Sequence, residues 1–210
     1  MKPLRLLEYL HSWDDDQFDL IYPREIRELS DIHWTPLKIA RAAAEFLAPE
    51  PGIKVLDVGC GPGKFCIAGA LSTQGDFTGI EQRKYLCDLA HSVMTQAGIP
   101  NARVFHGNVN RVDFSQFEAF YLFNPFEENL EPSVKIDPLV DLAESLYEAY
   151  TEHVATQLTQ APLGTRVATY CGLCQEIPMG YDCQMRPEFR GLKFWTKTKN
   201  YAVRGHPAAA

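Results

Sequence analysis

The sequence has no apolar run approaching 18 residues, so no segment reads as a transmembrane helix. Residues 1–10 are broken by Lys2, Pro3, Arg5 and Glu8 and do not read as a secretory signal. Positive charge is not in excess either: 20 Lys and Arg stand against 27 Asp and Glu, giving a net charge of -7 and a pI of about 5.4. A protein whose main task is gripping a phosphate backbone carries a basic face, so nucleic acid is not the favoured partner. Paired metal motifs are missing. Cys171 and Cys174 form a C-x-x-C, but neither a second such pair nor an H-x-x-x-H completes a zinc site. The six cysteines, scattered through segments that read as core, are expected to be buried thiols in a reducing compartment. A soluble, cytoplasmic protein with no metal and no membrane partner is the expectation. No internal repeat or low-complexity segment is present.

What the chain does have suits one globular domain: 210 residues, 46% of them hydrophobic. A helix is expected from Thr35 as N-cap with Pro36 in the first turn, its apolar stripe carried by Leu37, Ala40, Ala44 and Leu47. Strand and helix patterns then alternate. "KVLDVG" reads as a buried strand, "KFCIAGALS" as a helix, "DFTGIE" as a strand, and "QRKYLCDLAHSVMTQAG" as a helix closed by Gly98. "ARVFHG" and "AFYLFN" are further strands. A long amphipathic helix is expected over residues 137–160, opened by Asp137-Pro138 and striped by Leu139, Leu142, Leu146, Tyr150, Val154 and Leu158. "TRVATYCG" reads as a strand, and "GLKFWTKTKNYAV" as a final edge strand guarded by lysines. Such alternation defines an α/β class with a doubly wound, mostly parallel sheet. In these sheets ligands sit beyond the carboxyl ends of the strands, where strand order reverses.

"DVGCGPGKF" places Gly59, Gly61 and Gly63 at alternate positions directly after a strand. Glycine permits the tight turn and lets a ligand approach the backbone. A dinucleotide fingerprint would need glycine at position 64, where Lys64 stands, and a phosphate-binding P-loop would need Ser or Thr at position 65, where Phe65 stands. The next strand ends at Glu81, 18 residues after Gly63. A carboxylate at that tip can accept both hydroxyls of a ribose.

"VLDVGCGPGKF", "FTGIEQ" and "FHGNV" resemble the successive cofactor motifs of the class I, Rossmann-like, S-adenosylmethionine-dependent methyltransferases, over roughly residues 35–170. The resemblance implies a Rossmann-like methyltransferase fold in a single domain with a short N-terminal extension. It implies S-adenosyl-L-methionine as cofactor and S-adenosyl-L-homocysteine as product. The turn of Gly59, Cys60, Gly61 and Gly63 would pass beneath the methionine part, and Asp57 would organise the turn or meet the amino group. Glu81, followed by Gln82, would hold the ribose, and Asn108 and Val109 would meet the adenine. Asn108 stands where many members have Asp, and its amide oxygen still accepts a hydrogen bond.

The fourth strand ends in Asn124, Pro125 and Phe126, resembling the Asn/Asp-Pro-Pro-Tyr/Phe motif of amino methyltransferases with one proline fewer. An amide oxygen and a backbone carbonyl there can orient an acceptor nitrogen, and Phe126 can offer an apolar wall. Methyl transfer needs alignment more than a strong base. "HWTP", residues 33–36, resembles the aromatic-Thr-Pro motif of some adenine-N6 methyltransferases. It suggests that Thr35 and its helix start receive the cofactor carboxylate while Trp34 lids the pocket. His33 is the histidine to watch as a base or substrate contact. The acidic run of Asp14, Asp15 and Asp16 reads as a solvated loop or helix start.

The division expected is an N-terminal extension or lid over 1–34, a methyltransferase domain over 35–204 and a tail over 205–210. The activity expected is N-methylation of a protein side chain or small molecule, with an adenine-N6-type nucleic-acid enzyme as the alternative. A catalytically idle cofactor-binding fold and a nicotinamide oxidoreductase are the other readings, the last opposed by Lys64. The acceptor atom and the oligomeric state are not indicated.

Overall fold

The structure, a computed structural model, describes residues 12–201. Three short helices, α1 (Asp15–Asp19), α2 (Arg24–Arg27) and α3 (Ser30–His33), precede the longer α4 (Leu37–Leu47). Then follow β1 (Lys54–Val58), α5 (Lys64–Ser72), β2 (Asp76–Glu81), α6 (Lys84–Ala97), β3 (Ala102–His106), β4 (Ala119–Phe123), α7 (Glu144–Gln160), β5 (Arg166–Tyr170), β6 (Tyr181–Met185) and β7 (Leu192–Lys197). The seven strands form one sheet in the order β3-β2-β1-β4-β5-β7-β6. The first five run parallel, while β7 is antiparallel to both β5 and β6.

Period-two alternation along the strands builds two cores. Val55, Phe77, Val104, Tyr121, Ala168 and Phe194 face α4, α5 and α6. Leu56, Val58, Ile80, Phe120, Leu122 and Val167 face α7. Phe65 of α5 stacks on Tyr121 of β4 at a ring separation of 3.8 Å, locking the helix after β1 to the neighbouring strand. Chain order reverses between β1 and β4, so the crevice beyond their carboxyl ends is the ligand position the topology creates.

Several expectations require correction. Pro36, not Thr35, is the cap residue of α4, and it makes no side-chain cap bond; the first helical N–H, from Leu37, goes to Asp15 Oδ1 at 2.9 Å. The acidic run, by contrast, is the helix start expected of it: Asp14 caps α1 through a capping box. The long helix begins at Glu144, not at residue 137; Leu139 is 72% exposed, and Asp137 bonds Arg83 and Tyr85. β7 is interior, and the edge strand is β6, which lacks an apolar stripe because four of its five side chains are exposed. Lys197 is no surface guard. It is buried and donates to the carbonyls of Leu158 and Thr159 in the last turn of α7 and of Ala161 just after it. The 205–210 tail and the end of the "GLKFWTKTKNYAV" segment lie outside the described residues, as does the start of the 1–34 extension.

Candidate active site

The turn after β1 takes left-handed backbone at Gly59, Gly61 and Gly63, with φ of 72°, 54° and 80°. Close approach compounds the requirement. A Cβ at Gly59 would press on Pro125, and one at Gly61 would enter the Trp34 ring. The turn is tied to β2 through Gly59 N–H and Cys60 N–H, which donate to the Ile80 carbonyl, and through Gly61 N–H, which donates to Glu81 Oε2 at 3.0 Å.

Two buried carboxylates flank it. Glu81 also accepts from Arg83 N–H through Oε1, and burial raises its pKa against those bonds. Asp57 is pushed up to about 8 by burial; the Cys66 thiol, 3.5 Å away, is its hydrogen-bond donor. A buried carboxylate with so weak a partner is a receptor for a charged or hydroxyl donor. Asn108 has its amide oriented: Nδ2 donates to Tyr150 Oη at 2.8 Å and Oδ1 accepts from Asn110 N–H. The oxygen expected to meet adenine therefore already has one donor. Val109 is buried beside it, and Gln82 offers its carbonyl to His106 Nε2 at 3.1 Å.

At the tip of β4, Asn124 has φ of 29°, a conformation asparagine tolerates better than most residues. Its Cβ lies against Gly172 at the end of β5, and Pro125 lies on Gly59. Phe126 is not an open wall. Its ring is 7% exposed and leans on Tyr150 at 5.3 Å, which makes it floor rather than face.

Two cations that sequence reasoning did not assign hold the flanking segments. Lys64, buried at the start of α5, pairs with Asp15 at 2.7 Å and Asp19 at 2.8 Å and donates to Ser30 Oγ. It thus draws the N-terminal helices onto the glycine turn, where Trp34 Nε1 bonds the Ile26 carbonyl and Tyr22 Oη bonds the Pro62 carbonyl. Arg83, just before α6, forks onto Glu128 at 2.7 and 3.1 Å and reaches Asp137 at 3.0 Å. It draws the segment after Phe126 onto the tip of β2. The one local signal for Arg83 was its place two residues after Glu81.

The result is a cleft in two compartments. The larger encloses about 860 Å³, continuous with solvent, and is lined by Gly59, Gly61, Glu81, Gln82, Asn108, Val109, Asn124, Pro125 and Phe126 together with Arg83, Phe123 and Tyr150. The smaller, about 280 Å³, is lined by Thr35, Asp57, Cys60, Lys64 and Phe65. His33, Trp34, Gly59 and Phe123 border both. Of the residues expected at the site, Gly63 alone lines neither; it packs toward Met94 and Ala90 of α6. Thr35 bonds Tyr121 Oη at 2.9 Å, and the helix start behind it is no open anion site, because Asp15 holds the Leu37 N–H. The acceptors present fit an adenosyl group with a methionine tail: an acid for hydroxyls in one compartment and an under-bonded acid for an ammonium in the other.

Residues 55–137 match the family model described as "Methyltransferase domain". No curated protein matches the chain. Solved structures carry the same fold. An RNA methyltransferase from Salinibacter ruber, in complex with S-adenosyl-L-homocysteine, is 19% identical with a TM-score of 0.55, over 80% of this chain and 95% of that one. TrmN from Thermus thermophilus is 16% identical with a TM-score of 0.57, over 82% and 51%. A SAM-dependent methyltransferase from Aquifex aeolicus is 16% identical with a TM-score of 0.50, over 88% and 97%. Other matched chains are longer, and this chain spans 43% and 51% of two of them. The family match covers 83 of the 210 residues, and the fold shared with these structures is the Rossmann-like fold of S-adenosylmethionine-dependent methyltransferases, with no subgroup assigned. The cofactor of that class is S-adenosylmethionine.

Proposed function

We propose that this protein methylates a nitrogen, on a protein side chain or a small molecule, and that residues 35–204 form the transferase domain with the preceding segment as its lid. The observation that carries this reading is the tip of β4: Asn124, held in left-handed backbone, stands at the point of strand reversal beside the glycine turn. When bound, the cofactor supplies an activated methyl on a sulfonium. Glu81 would accept from the ribose hydroxyls, and Asp57 from the amino group of the methionine tail. Trp34 and Phe123, at the junction of the compartments, exclude water from the reacting atoms. Asn124 Oδ1 would accept a hydrogen bond from the acceptor nitrogen and aim its lone pair, so that alignment supplies much of the acceleration. Six free thiols suit a reducing, cytoplasmic setting, although only Cys60, Cys66 and Cys87 are buried as expected and Cys171 and Cys183 are exposed.

The test uses cofactor with a labelled methyl group, incubated with the pure protein and fractionated lysate, with Asn124→Ala as control. The expected outcome is label in the protein or small-molecule pool that is lost in the variant. Label in nucleic acid would replace this reading with the adenine-N6-type alternative. Binding of S-adenosyl-L-homocysteine without transfer to any pool would favour an idle fold.

A further inference from the structure

Four residues border both compartments of the cleft, and among them His33 alone is ionisable. It is the last residue of α3, half-buried, at a ring separation of 5.8 Å from Trp34. Among the described residues its imidazole makes no hydrogen bond and no ion pair, whereas the neighbouring Trp34 indole is fixed to the Ile26 carbonyl. The ring is therefore placed at the junction but not spent on structure. Burial lowers its pKa, Glu128 raises it and Arg83 lowers it, with burial the largest effect, so the neutral ring prevails at pH 7 and offers a lone pair.

The charges around it select what can approach. In the larger compartment stand Glu81, Glu127 and Glu128 against Arg83; in the smaller stand Asp57 and Lys64. Arg83 and Lys64 are each locked in two ion pairs, so neither is free for an anionic acceptor. Glu127 has no ion pair among the described residues and lies next to the Asn124 tip, donating its N–H to the Asn124 carbonyl. An open carboxylate, an amide oxygen and a neutral imidazole, all lining the larger compartment, form a receptor for a hydrogen-bonding cation.

Resting on the methyltransferase reading above, we infer that the acceptor is an alkylammonium nitrogen and that His33 takes its proton. The ammonium gives one proton to a ring nitrogen of His33, which becomes imidazolium. The freed lone pair forms the nitrogen–carbon bond as the carbon–sulfur bond breaks, its electron pair remaining on sulfur as a neutral thioether. Two positive charges enter, on ammonium and sulfonium, and two leave, on methylammonium and imidazolium.

Binding and pH dependence test this separately from turnover. Histidine-ring NMR would be recorded on the protein loaded with S-adenosyl-L-homocysteine, with n-butylammonium or inorganic phosphate as probe. Butylammonium is expected to shift the His33 signals saturably and to lower their titration midpoint by about half a pH unit or more; phosphate is expected to do neither. No response to butylammonium, or a larger one to phosphate, would overturn the inference. With the labelled acceptor pool as substrate, His33→Gln and His33→Asn should each lose roughly 10²-fold in kcat. The wild-type rate should rise through the His33 midpoint and level off, while the variants should keep rising toward the pKa of the amine. A positioning role alone would lower the rate without moving the profile, and that result would also sink the inference. Calorimetry with S-adenosyl-L-homocysteine separates the two readings. No binding by the wild type defeats the methyltransferase reading itself. Binding and transfer with an unaltered His33→Gln rate and profile defeat only the role of His33.

Discussion

The two walls of the cleft are held by the same device used in opposite directions along the chain. Lys64 and Arg83 each stand at the start of a helix that follows a strand, and each has a side chain 3% exposed. Lys64 grips a segment that precedes it, through Asp15 and Asp19; Arg83 grips one that follows, through Glu128 and Asp137. The difference lies in what surrounds the pairs, since Asp15 is itself 44% exposed. Asp19 is nearly as buried as Lys64, so that pair is an internal one with Ser30 bonded to the same carboxylate. Glu128 and Asp137 keep 17% and 14% of their side chains exposed. The lysine wall is built into the core with Phe18 and Tyr22, whereas the arginine wall lies across the cleft mouth as irregular backbone with short 3-10 turns. One wall is therefore scaffold and the other is suited to yield to an acceptor.

Removing each cation should expose that difference. Lys64→Ala strands the buried Asp19 carboxylate and is expected to cost about 3–5 kcal/mol in chemical denaturation. Asp19→Asn in the same background should recover part of the loss. Equal stability of Lys64→Ala and wild type would break the comparison. Arg83→Ala should cost about 2 kcal/mol globally, because its partners reach water. Its larger effect should be local: faster hydrogen exchange at Ile136, whose N–H is held by Glu128 at 3.0 Å.

Within the cleft the expected effects are smaller. Glu81→Ala should weaken S-adenosyl-L-homocysteine binding by about 10–100-fold, or about 1.4–2.7 kcal/mol, measured by calorimetry. Asp57, held near 8 by burial, is largely protonated at pH 7 in the free protein. The folded state then keeps a proton that the unfolded state releases, so stability falls as pH rises from about 4 through about 8. Asp57→Asn should flatten that slope. If Asp57 receives the cofactor ammonium it must ionise, so binding near pH 7 should release up to about one proton in wild type and none from this position in the variant. Buffers of different ionisation enthalpy would reveal it. Thr35→Val, which loses the bond to Tyr121, should cost about 1 kcal/mol in stability. An unchanged affinity for S-adenosyl-L-homocysteine would remove Thr35 from the cofactor's contacts.

How much of this was legible depends on the range of the interactions. "KFCIAGALS" and "DFTGIE" coincide with α5 and β2 residue for residue, because buried apolar runs bounded by glycine and polar turns carry their own limits. β6 was not legible. An edge strand with one buried residue has no alternation to display, and its pairing is supplied by β7. The start of α7 was misread because Asp137-Pro138 mimics a helix cap, while the carboxylate is claimed instead by Arg83 and Tyr85, 54 and 52 residues away in sequence. Phe126 had the composition of a binding wall, and only the approach of Tyr150 shows it to be floor.

The local geometry of the glycine turn was settled in the sequence alone. Alternate glycines after a buried strand admit left-handed backbone and close contact, and an acid at the tip of the next strand faces them once two parallel strands pair. What the tertiary structure decided is which of the 27 acids meet which cations. Asp14, Asp15 and Asp16 are alike in composition, yet Asp14 caps a helix and Asp15 bonds both Leu37 N–H and Lys64. Coulomb attraction carries no address along the chain; packing of the hydrophobic core sets the distances, and burial then makes the few matched pairs strong and unmatched ones costly.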